Sequence, residues 1–470
     1  MDIEREHYPL LVAIAASLFC TPLMMAGINA VLPEIGESLG ANAKELALVG
    51  TLYTLGLAIF QLASGSLGDI KGHRRIFLAG AIIFAVCSAC LALIRSIPLF
   101  LVLRFVQGSA GAMISASGLA LVASIAPEGK RTDYFGLTGA AVYAGIAMGP
   151  PVAGFVSSLA SWTALFWLNF LAMILVFSLM KFTGHVEWHP APDKKFDFAG
   201  CIAYAGAMSC LALAALQSGA ASYGGFLYVS AFLILLSVFF FQEKKSVFPL
   251  LNLSLLREKP VFAFSALAAF VNYASFFGLV FYFSFYLQVA KGIGVRETGL
   301  ILAIQPLVQA LATPLATRLC RKLGNGAACS LGAFSCGFGL LVAVLINPDS
   351  LLIWLFLSQI MLGFGISLFS LANTTMMIES AGREHTGQAS ALTGAVRTAG
   401  QFCSMALITF SLGFFLGDEP VSKSVLPLFM KSMKVSLTFF ALLNLFAITV
   451  AFVRNKRQKT GMESNNLQNQ

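Results

Sequence analysis

Gly65-Ser-Leu-Gly-Asp-Ile-Lys-Gly-His-Arg-Arg75 is the stretch of sequence that decides how this chain folds. The segment is polar, carries three glycines and separates two apolar runs at about 45–64 and 76–95. Each run reaches roughly the 20 residues that a membrane-spanning helix needs. The sequence therefore predicts a hairpin of two transmembrane helices joined by a tight polar turn.

The composition of the whole chain agrees with this hairpin. Of 470 residues, 58% are hydrophobic and only 11% are charged, which excludes a soluble globular domain. Fourteen apolar runs have spanning length, and the predicted fold class is an all-α polytopic membrane protein with 14 transmembrane helices. The runs lie at approximately 9–33, 45–64, 76–95, 98–126, 133–158, 163–182, 197–217, 224–242, 260–285, 297–317, 327–346, 350–378, 387–416 and 430–453.

Positive charge is unevenly distributed between the two sets of links that join these runs. The termini and the links on the side of Lys71, Arg74 and Arg75 hold 21 of the 30 Lys and Arg residues, whereas the opposite links hold seven. Because cytoplasmic loops are enriched in Lys and Arg, this side and both termini are predicted to be cytoplasmic. The net charge of +9 is thus explained by membrane topology, and no nucleic-acid partner is expected.

The opening stretch resembles the signature between the second and third helices of the major facilitator superfamily, G-x-L-[AG]-D-R-x-G-R-[KR]. Two positions depart from that pattern, since Ile70 and His73 stand where the family has arginine. In the family, the aspartate of this motif acts in a conformational latch between two halves of the protein. The resemblance assigns that latch to Gly65, Asp69, Gly72, Arg74 and Arg75.

The fourth run contains an arginine well inside its apolar sequence. Arg104 and Gln107 are three residues apart and share a helix face. An arginine at membrane depth costs about 2.5–3.5 kcal/mol on insertion scales, so we expect it to face a cavity and to be functional. The stretch resembles the family motif R-x-x-Q-G, whose arginine is implicated in proton coupling, and this assigns coupling to Arg104 and Gln107. The alternative is an arginine that snorkels to the surface or braces carbonyl groups.

The fifth run reads Gly145-Ile-Ala-Met-Gly-Pro-Pro-Val-Ala-Gly154. Glycines four apart allow close helix packing, and the two prolines remove backbone donors and bend the helix. The run resembles the antiporter motif G-x-x-x-G-P-x-x-G-G of exporters, which helps to seal against proton leak. The resemblance assigns a hinge to Gly145, Gly149, Pro150 and Gly154, with Ala153 in place of one glycine.

Three further stretches, at 29–34, 162–169 and 387–400, resemble the fourteen-helix drug:proton antiporter family within that superfamily, and the resemblance covers nearly the whole chain. It implies two six-helix bundles, with helices 9 to 14 repeating helices 1 to 6, plus two inserted helices. The family commonly has an aspartate nine residues before the proline of helix 1, where this chain has Met24. The expected domains are 1–182, an insert at 183–259, 260–455, and a disordered cytoplasmic tail at 456–470.

The interior of the runs offers arginines and amides but no deep carboxylate. Such a cavity should favour neutral or anionic cargo over multivalent cations. For each single amide, the alternative to ligand contact is a hydrogen bond between helices. The candidate cavity residues are Asn29, Gln61, Asn272, Gln305, Gln309, Asn373 and Arg397.

Other classes of function lack the residues they need. All five histidines fall in loops or termini, the cysteines read as small buried side chains, and no G-x-x-x-x-G-K-[ST] loop is present, so no catalytic residue, metal site or cofactor is expected. The expected function is a proton-coupled exporter of drugs or small amphipathic compounds in the cytoplasmic (inner or plasma) membrane, working by alternating access. Its expected partners are a small-molecule substrate, protons and membrane lipids. The sequence does not decide whether a periplasmic adaptor protein also binds. A gradient-driven importer or facilitator of a metabolite and a transport-inactive membrane receptor are the alternatives.

Overall fold

The computed structural model describes residues 3–126, 131–183, 195–217, 223–251, 253–381 and 386–468, and no strand occurs among them. The helices are α1 (Ile3–Leu39), α2 (Ala43–Lys71), α3 (His73–Leu93), α4 (Ile97–Ile125), α5 (Arg131–Leu159), α6 (Trp162–Phe182), α7 (Phe198–Leu216), α8 (Tyr223–Lys245), α9 (Leu253–Glu258), α10 (Pro260–Phe276), α11 (Leu279–Phe285), α12 (Val295–Leu302), α13 (Ile304–Leu323), α14 (Asn325–Val344), α15 (Leu352–Ala381), α16 (Thr386–Phe415) and α17 (Leu426–Gln468).

Fourteen segments of the described chain are long and apolar enough to cross a membrane, which confirms the predicted number. Two of them are interrupted. The ninth joins α10, α11 and a π-helical turn over Tyr286–Ala290, and the tenth joins α12 and α13. At the interruption between α10 and α11, the Gly278 N–H donates to Ser404 Oγ at 2.9 Å, so a side chain satisfies a backbone donor there.

The polar stretch that was expected to be a turn is mostly helical. Helix α2 continues to Lys71 and α3 begins at His73, so Gly72 alone links them. Gly72 has φ 100°, in the region that favours glycine, and its N–H donates to Gly68 O at 2.9 Å. A helix satisfies its own backbone groups, and for this reason residues 65–71 extend α2 beyond the apolar run.

The described chain divides into two compact units whose boundaries differ from the expected domains. Unit 1 comprises Met1–Leu250, Val280–Ala303 and Met405–Ser432, and unit 2 comprises Leu251–Leu279, Ile304–Ser404 and Met433–Gln470. Two segments of the expected second bundle therefore pack with the first. Contacts within unit 1 explain this: Gln288 Nε2 donates to Ala30 O at 2.9 Å, a Cβ on Gly299 would overlap the Pro150 carbonyl, and the Thr51 and Thr409 hydroxyls lie 2.8 Å apart.

The insert and the tail complete the fold. Helices α7 and α8 pack on each other, and α7 also lies against α2 in unit 1. The tail from 456 was expected to be disordered, but α17 continues to Gln468. The tail follows the apolar part of α17 without a break, and adding residues to an existing helix is easier than starting a new one.

Candidate transport site

Arg104 is enclosed inside unit 1, where only 1% of its surface is exposed. Its Nε donates to Val49 O of α2 at 3.3 Å, and one terminal nitrogen donates to Gln107 Oε1 at 2.5 Å. The guanidinium carbon lies 4.3 Å from the centroid of the Tyr53 ring, also on α2. A carbonyl, an amide and an aromatic face therefore surround the cation.

The hydrogen bonds continue from Gln107 across three more helices. Gln107 Nε2 donates to Ser88 Oγ of α3 at 2.9 Å, and this hydroxyl lies 3.3 Å from Asn169 Oδ1 of α6. Asn169 Nδ2 donates to the Cys20 carbonyl of α1 at 3.2 Å. We call Tyr53, Ser88, Arg104, Gln107 and Asn169 the Arg104 network. Among the described residues, none of its buried side-chain nitrogen or oxygen atoms lacks a partner.

The Arg104 network carries positive charge without a carboxylate. Within the described ranges, the buried acidic side chains are Asp197 and Glu243, at the start of α7 and near the end of α8. A buried ion is costly unless it is paired or hydrogen-bonded, and Arg104 relies on hydrogen bonds and the Tyr53 ring. The network therefore creates a positive potential inside the bundle, which attracts anions and the negative ends of dipoles.

Glycines hold α2 and α4 close enough for these contacts. A Cβ on Gly108 would overlap the Tyr53 carbonyl, and a Cβ on Gly56 would overlap the Phe105 carbonyl. The two helices consequently touch backbone to backbone at the level of Arg104. This close approach is what allows the Arg104 side chain to reach Val49 O.

The residues predicted to form a hinge on α5 face two neighbouring elements of unit 1. Gly145 and Gly149 lie against the α1 backbone, and a Cβ on Gly149 would be 2.6 Å from Leu23 O. Gly154 and Pro150 lie against α12, where a Cβ on Gly154 would be 2.7 Å from Val295 O. The predicted close packing is present on both faces of the helix.

A carboxylate ties the end of α1 to α5 and α6 next to this contact. Glu34 accepts hydrogen bonds from Ser157 Oγ and from the Trp162 N–H, the second at 3.3 Å. Glu34 therefore satisfies a free backbone donor at the start of α6.

The residues predicted to form a latch are brought together only in part. Asp69 Oδ1 lies 3.1 Å from Nε2 of His73, the side chain that replaces the family's arginine. Arg74 is buried and donates to Met180 O at 2.7 Å and Thr183 O at 2.8 Å, the last carbonyls of α6. Arg75 is exposed, and a Cβ on Gly65 would meet nothing within 4 Å.

The candidate cavity residues lie in different surroundings. Gln61 Oε1 accepts from Ser115 Oγ at 3.1 Å, and Asn29 Nδ2 donates to Met25 O of its own helix at 3.3 Å. Asn373 Nδ2 donates to Ser265 O at 3.0 Å, which joins α15 to α10. Within unit 2, Gln309 and Asn272 are buried, whereas Gln305 and Arg397 are half-buried.

Several site residues could not be named from the sequence. Nothing in the sequence marked Tyr53 and Gly56 as site residues, because an aromatic residue and a glycine are ordinary packing residues in an apolar run. Ser88 likewise reads as a small helix-packing residue. The sequence indicated only that Arg104 must have polar partners, since a buried arginine requires hydrogen-bond acceptors. No group of three or more potential metal-ligating side chains is found within the described ranges.

Comparisons with known proteins agree with the fold and the family. The chain is 30% identical to an uncharacterized transporter of Escherichia coli strain K12, YebQ, over 90% of this chain and 92% of that protein. It is 27% identical to the tetracenomycin C resistance and export protein of Streptomyces glaucescens, over 88% of this chain and 78% of that protein. A crystal structure of a peptide transporter, POT, in complex with sulfate has the same fold, with a TM-score of 0.70, 17% identity and 95% of both chains covered. Because the model of the Major Facilitator Superfamily matches residues 14–405, the chain belongs to that superfamily and is a membrane transporter.

Proposed function

We propose that this transporter is a proton-coupled exporter of drugs or other small amphipathic compounds that works by alternating access. The observation that carries the proposal is the packing of α5. Gly145 and Gly149 lie against the α1 backbone while Pro150 and Gly154 lie against α12, so a helix with the antiporter motif packs on both faces without intervening side chains. The name of the Streptomyces relative, a resistance and export protein, supports export.

The Arg104 network supports the coupling part of the proposal. Arg104 and Gln107 form the central hydrogen bond, and a change of partner at either side chain would disturb contacts on α2 and α3 together. Buried networks of this kind act as units, because each member fixes the geometry of the next. We assign proton coupling to this pair.

The charge of the site supports a cargo class. Arg104 is a buried cation, and Met24 is fully buried where the family commonly has an aspartate. A positive site that lacks a nearby carboxylate favours neutral or anionic compounds over multivalent cations. The excess of Lys and Arg on the Gly72 side supports a cytoplasmic-membrane location with both termini in the cytoplasm.

The test uses the purified full-length protein in liposomes that contain a trapped pH-sensitive dye. A pH gradient is imposed, and cationic, neutral and anionic amphipathic compounds are added in turn. We expect neutral or anionic compounds to trigger proton movement, and we expect Arg104→Ala to abolish it. Arg95→Ala is the matched control, since Arg95 is an exposed arginine in the link between α3 and α4 and should leave proton movement unchanged.

Two outcomes would contradict the proposal. Compounds that cross without protons would favour the facilitator, and proton movement triggered only by multivalent cations would refute the assigned cargo class. If no compound moves while the protein remains folded by thermal melting, the receptor alternative gains support instead.

A further inference from the structure

Unit 2 contains a set of polar side chains in its core whose hydrogen bonds are incomplete. Asn272 and Ser275 on α10, Cys336 on α14 and Asn444 on α17 are each 0% exposed. We call these four residues the Asn272 cluster. None of them belongs to the Arg104 network or to the motifs assigned above, apart from the expectation that Asn272 lines a cavity.

The members of the Asn272 cluster lie side by side on three helices. Asn444 Nδ2 lies 3.4 Å from Ser275 Oγ, to which it donates, and Ser275 Oγ donates to Asn272 O at 2.7 Å. The Asn272 side chain also lies beside the Cys336 thiol. On the next residue of α14, a Cβ on Gly337 would be 2.9 Å from Asn444 Oδ1. Both amide side chains thus face adjacent positions of the same helix.

Three amide atoms of this cluster have no hydrogen-bond partner within the described ranges. They are Asn272 Nδ2, Asn272 Oδ1 and Asn444 Oδ1. A buried donor or acceptor left without a partner costs about 1–3 kcal/mol, and a thiol is too weak a partner to remove that cost. In a bundle surrounded by lipid, bulk water cannot reach these atoms.

The chemistry of the three atoms selects the ligand. One of them is an amide nitrogen that donates and two are amide oxygens that accept, so the ligand must both accept and donate hydrogen bonds. Water does this with its lone pairs and its two hydrogens, and buried waters in proteins typically make about three hydrogen bonds. A metal cation would be repelled by the Asn272 amide hydrogens, and an anion by the two amide oxygens. Because Gly337 has no side chain, Asn444 Oδ1 lies directly against α14.

We propose that the Asn272 cluster is a hydration site that holds an ordered water between α10, α14 and α17. The water accepts from Asn272 Nδ2 and donates to the side-chain oxygens of Asn272 and Asn444. On this assignment, Asn272 serves a bound water in the core of unit 2 rather than the cargo. The proposal does not depend on proton coupling or on the direction of transport.

The test is hydroxyl-radical labelling by X-ray radiolysis of the full-length protein in lipid nanodiscs, read by mass spectrometry. Radicals form from bound water as well as bulk water, so Cys336 reports on the site although it is fully buried. Cys329 is the matched control on the same helix. It is also 0% exposed, and it neighbours Asn373, whose amide already donates to Ser265 O. We expect Cys336 to be oxidised at least several-fold faster than Cys329.

Two variants identify the source of the label. Asn272→Leu removes a donor and an acceptor at nearly constant shape, and Gly337→Ala places a methyl group against Asn444 Oδ1 without changing either amide. Each should lower the oxidation of Cys336 to the level of Cys329. Equal oxidation of the two cysteines in the wild type would overturn the proposal, and so would fast oxidation of Cys336 that persists in whichever variant folds.

Discussion

The Arg104 network of unit 1 and the Asn272 cluster of unit 2 are both buried polar groups between transmembrane helices, yet they are completed differently. The Arg104 network carries a charge and satisfies its buried atoms with other protein atoms. The Asn272 cluster carries no charge and leaves three amide atoms for a ligand. The contrast shows that a buried charge requires protein partners fixed in place, whereas neutral amides can share a small molecule.

Replacing the arginine of each unit should give the largest contrast. Arg104→Leu removes the hydrogen bonds to Gln107 Oε1 and Val49 O, and since a hydrogen bond to a charged group contributes about 1.5–3 kcal/mol, the loss of two should cost more than about 3 kcal/mol. Arg397→Leu affects a half-buried arginine of unit 2 and should cost less than about 1 kcal/mol. Thermal unfolding of the two purified variants in the same detergent checks the difference. Equal shifts in melting temperature would show that the hydrogen bonds of Arg104 contribute no more to stability than the half-buried Arg397 does.

Gly108→Ala should have the next largest effect. Its new methyl group would overlap the Tyr53 carbonyl, and backbone cannot move aside as a side-chain tip can, so we expect a loss of about 3 kcal/mol. The control is Gly136→Ala on α5, where a Cβ would meet nothing within 4 Å and alanine should be neutral or slightly stabilising. Comparison of the melting temperatures of the two glycine variants tests this. A neutral Gly108→Ala would mean that α2 and α4 are not in backbone contact.

The two asparagines that join helices should differ by a smaller amount. Asn169→Leu removes the hydrogen bond to Cys20 O and an acceptor beside Ser88, which should cost about 2 kcal/mol. Asn444→Leu removes one long hydrogen bond, and the Asn444 Oδ1 atom has no hydrogen-bond partner to lose among the described residues. This variant should therefore cost less than Asn169→Leu. The ranking of the two variants in denaturation is the measurement. The reverse ranking would argue that the Asn272 cluster is the more tightly bonded of the two groups.

The smallest effect is expected at Tyr53. Tyr53→Leu removes the aromatic face below Arg104 and should cost about 1 kcal/mol, whereas Tyr53→Phe keeps the face and should be close to wild type. A double-mutant cycle with Arg104→Leu isolates the interaction between the ring and the cation. A coupling energy of zero would show that the Tyr53 ring does not interact with the Arg104 cation.

The sequence was sufficient for the parts of the fold that depend on hydrophobic length. The fourteen spans followed from run length, and the superfamily followed from short motifs such as the one around Asp69. Hydropathy could not show that residues 65–71 are helical, because a polar segment at the end of a span looks the same as a loop. It also could not show that 280–303 and 405–432 pack with the first bundle, since that depends on contacts such as those of Gly299 with Pro150 and of Thr409 with Thr51.

The candidate site was predictable in its residue types and less so in its contacts. Arg104 and Gln107 share a helix face as expected, but sequence spacing within α4 says nothing about Tyr53 or Ser88 on other helices. The side chain was expected to face a cavity, and the structure encloses it between the Val49 carbonyl, the Gln107 amide and the Tyr53 ring. The roles assigned to these residues in coupling and latching stay predictions.

The single-residue link at Gly72 limits where this chain can accept insertions. A connection of one residue with positive φ has no slack, so an insertion there would separate two helices that the backbone now holds together. The junction between Phe182 and Phe198 is many residues longer and joins helices that need not be neighbours. We therefore expect the chain to tolerate added residues between α6 and α7 but not within the hairpin of α2 and α3.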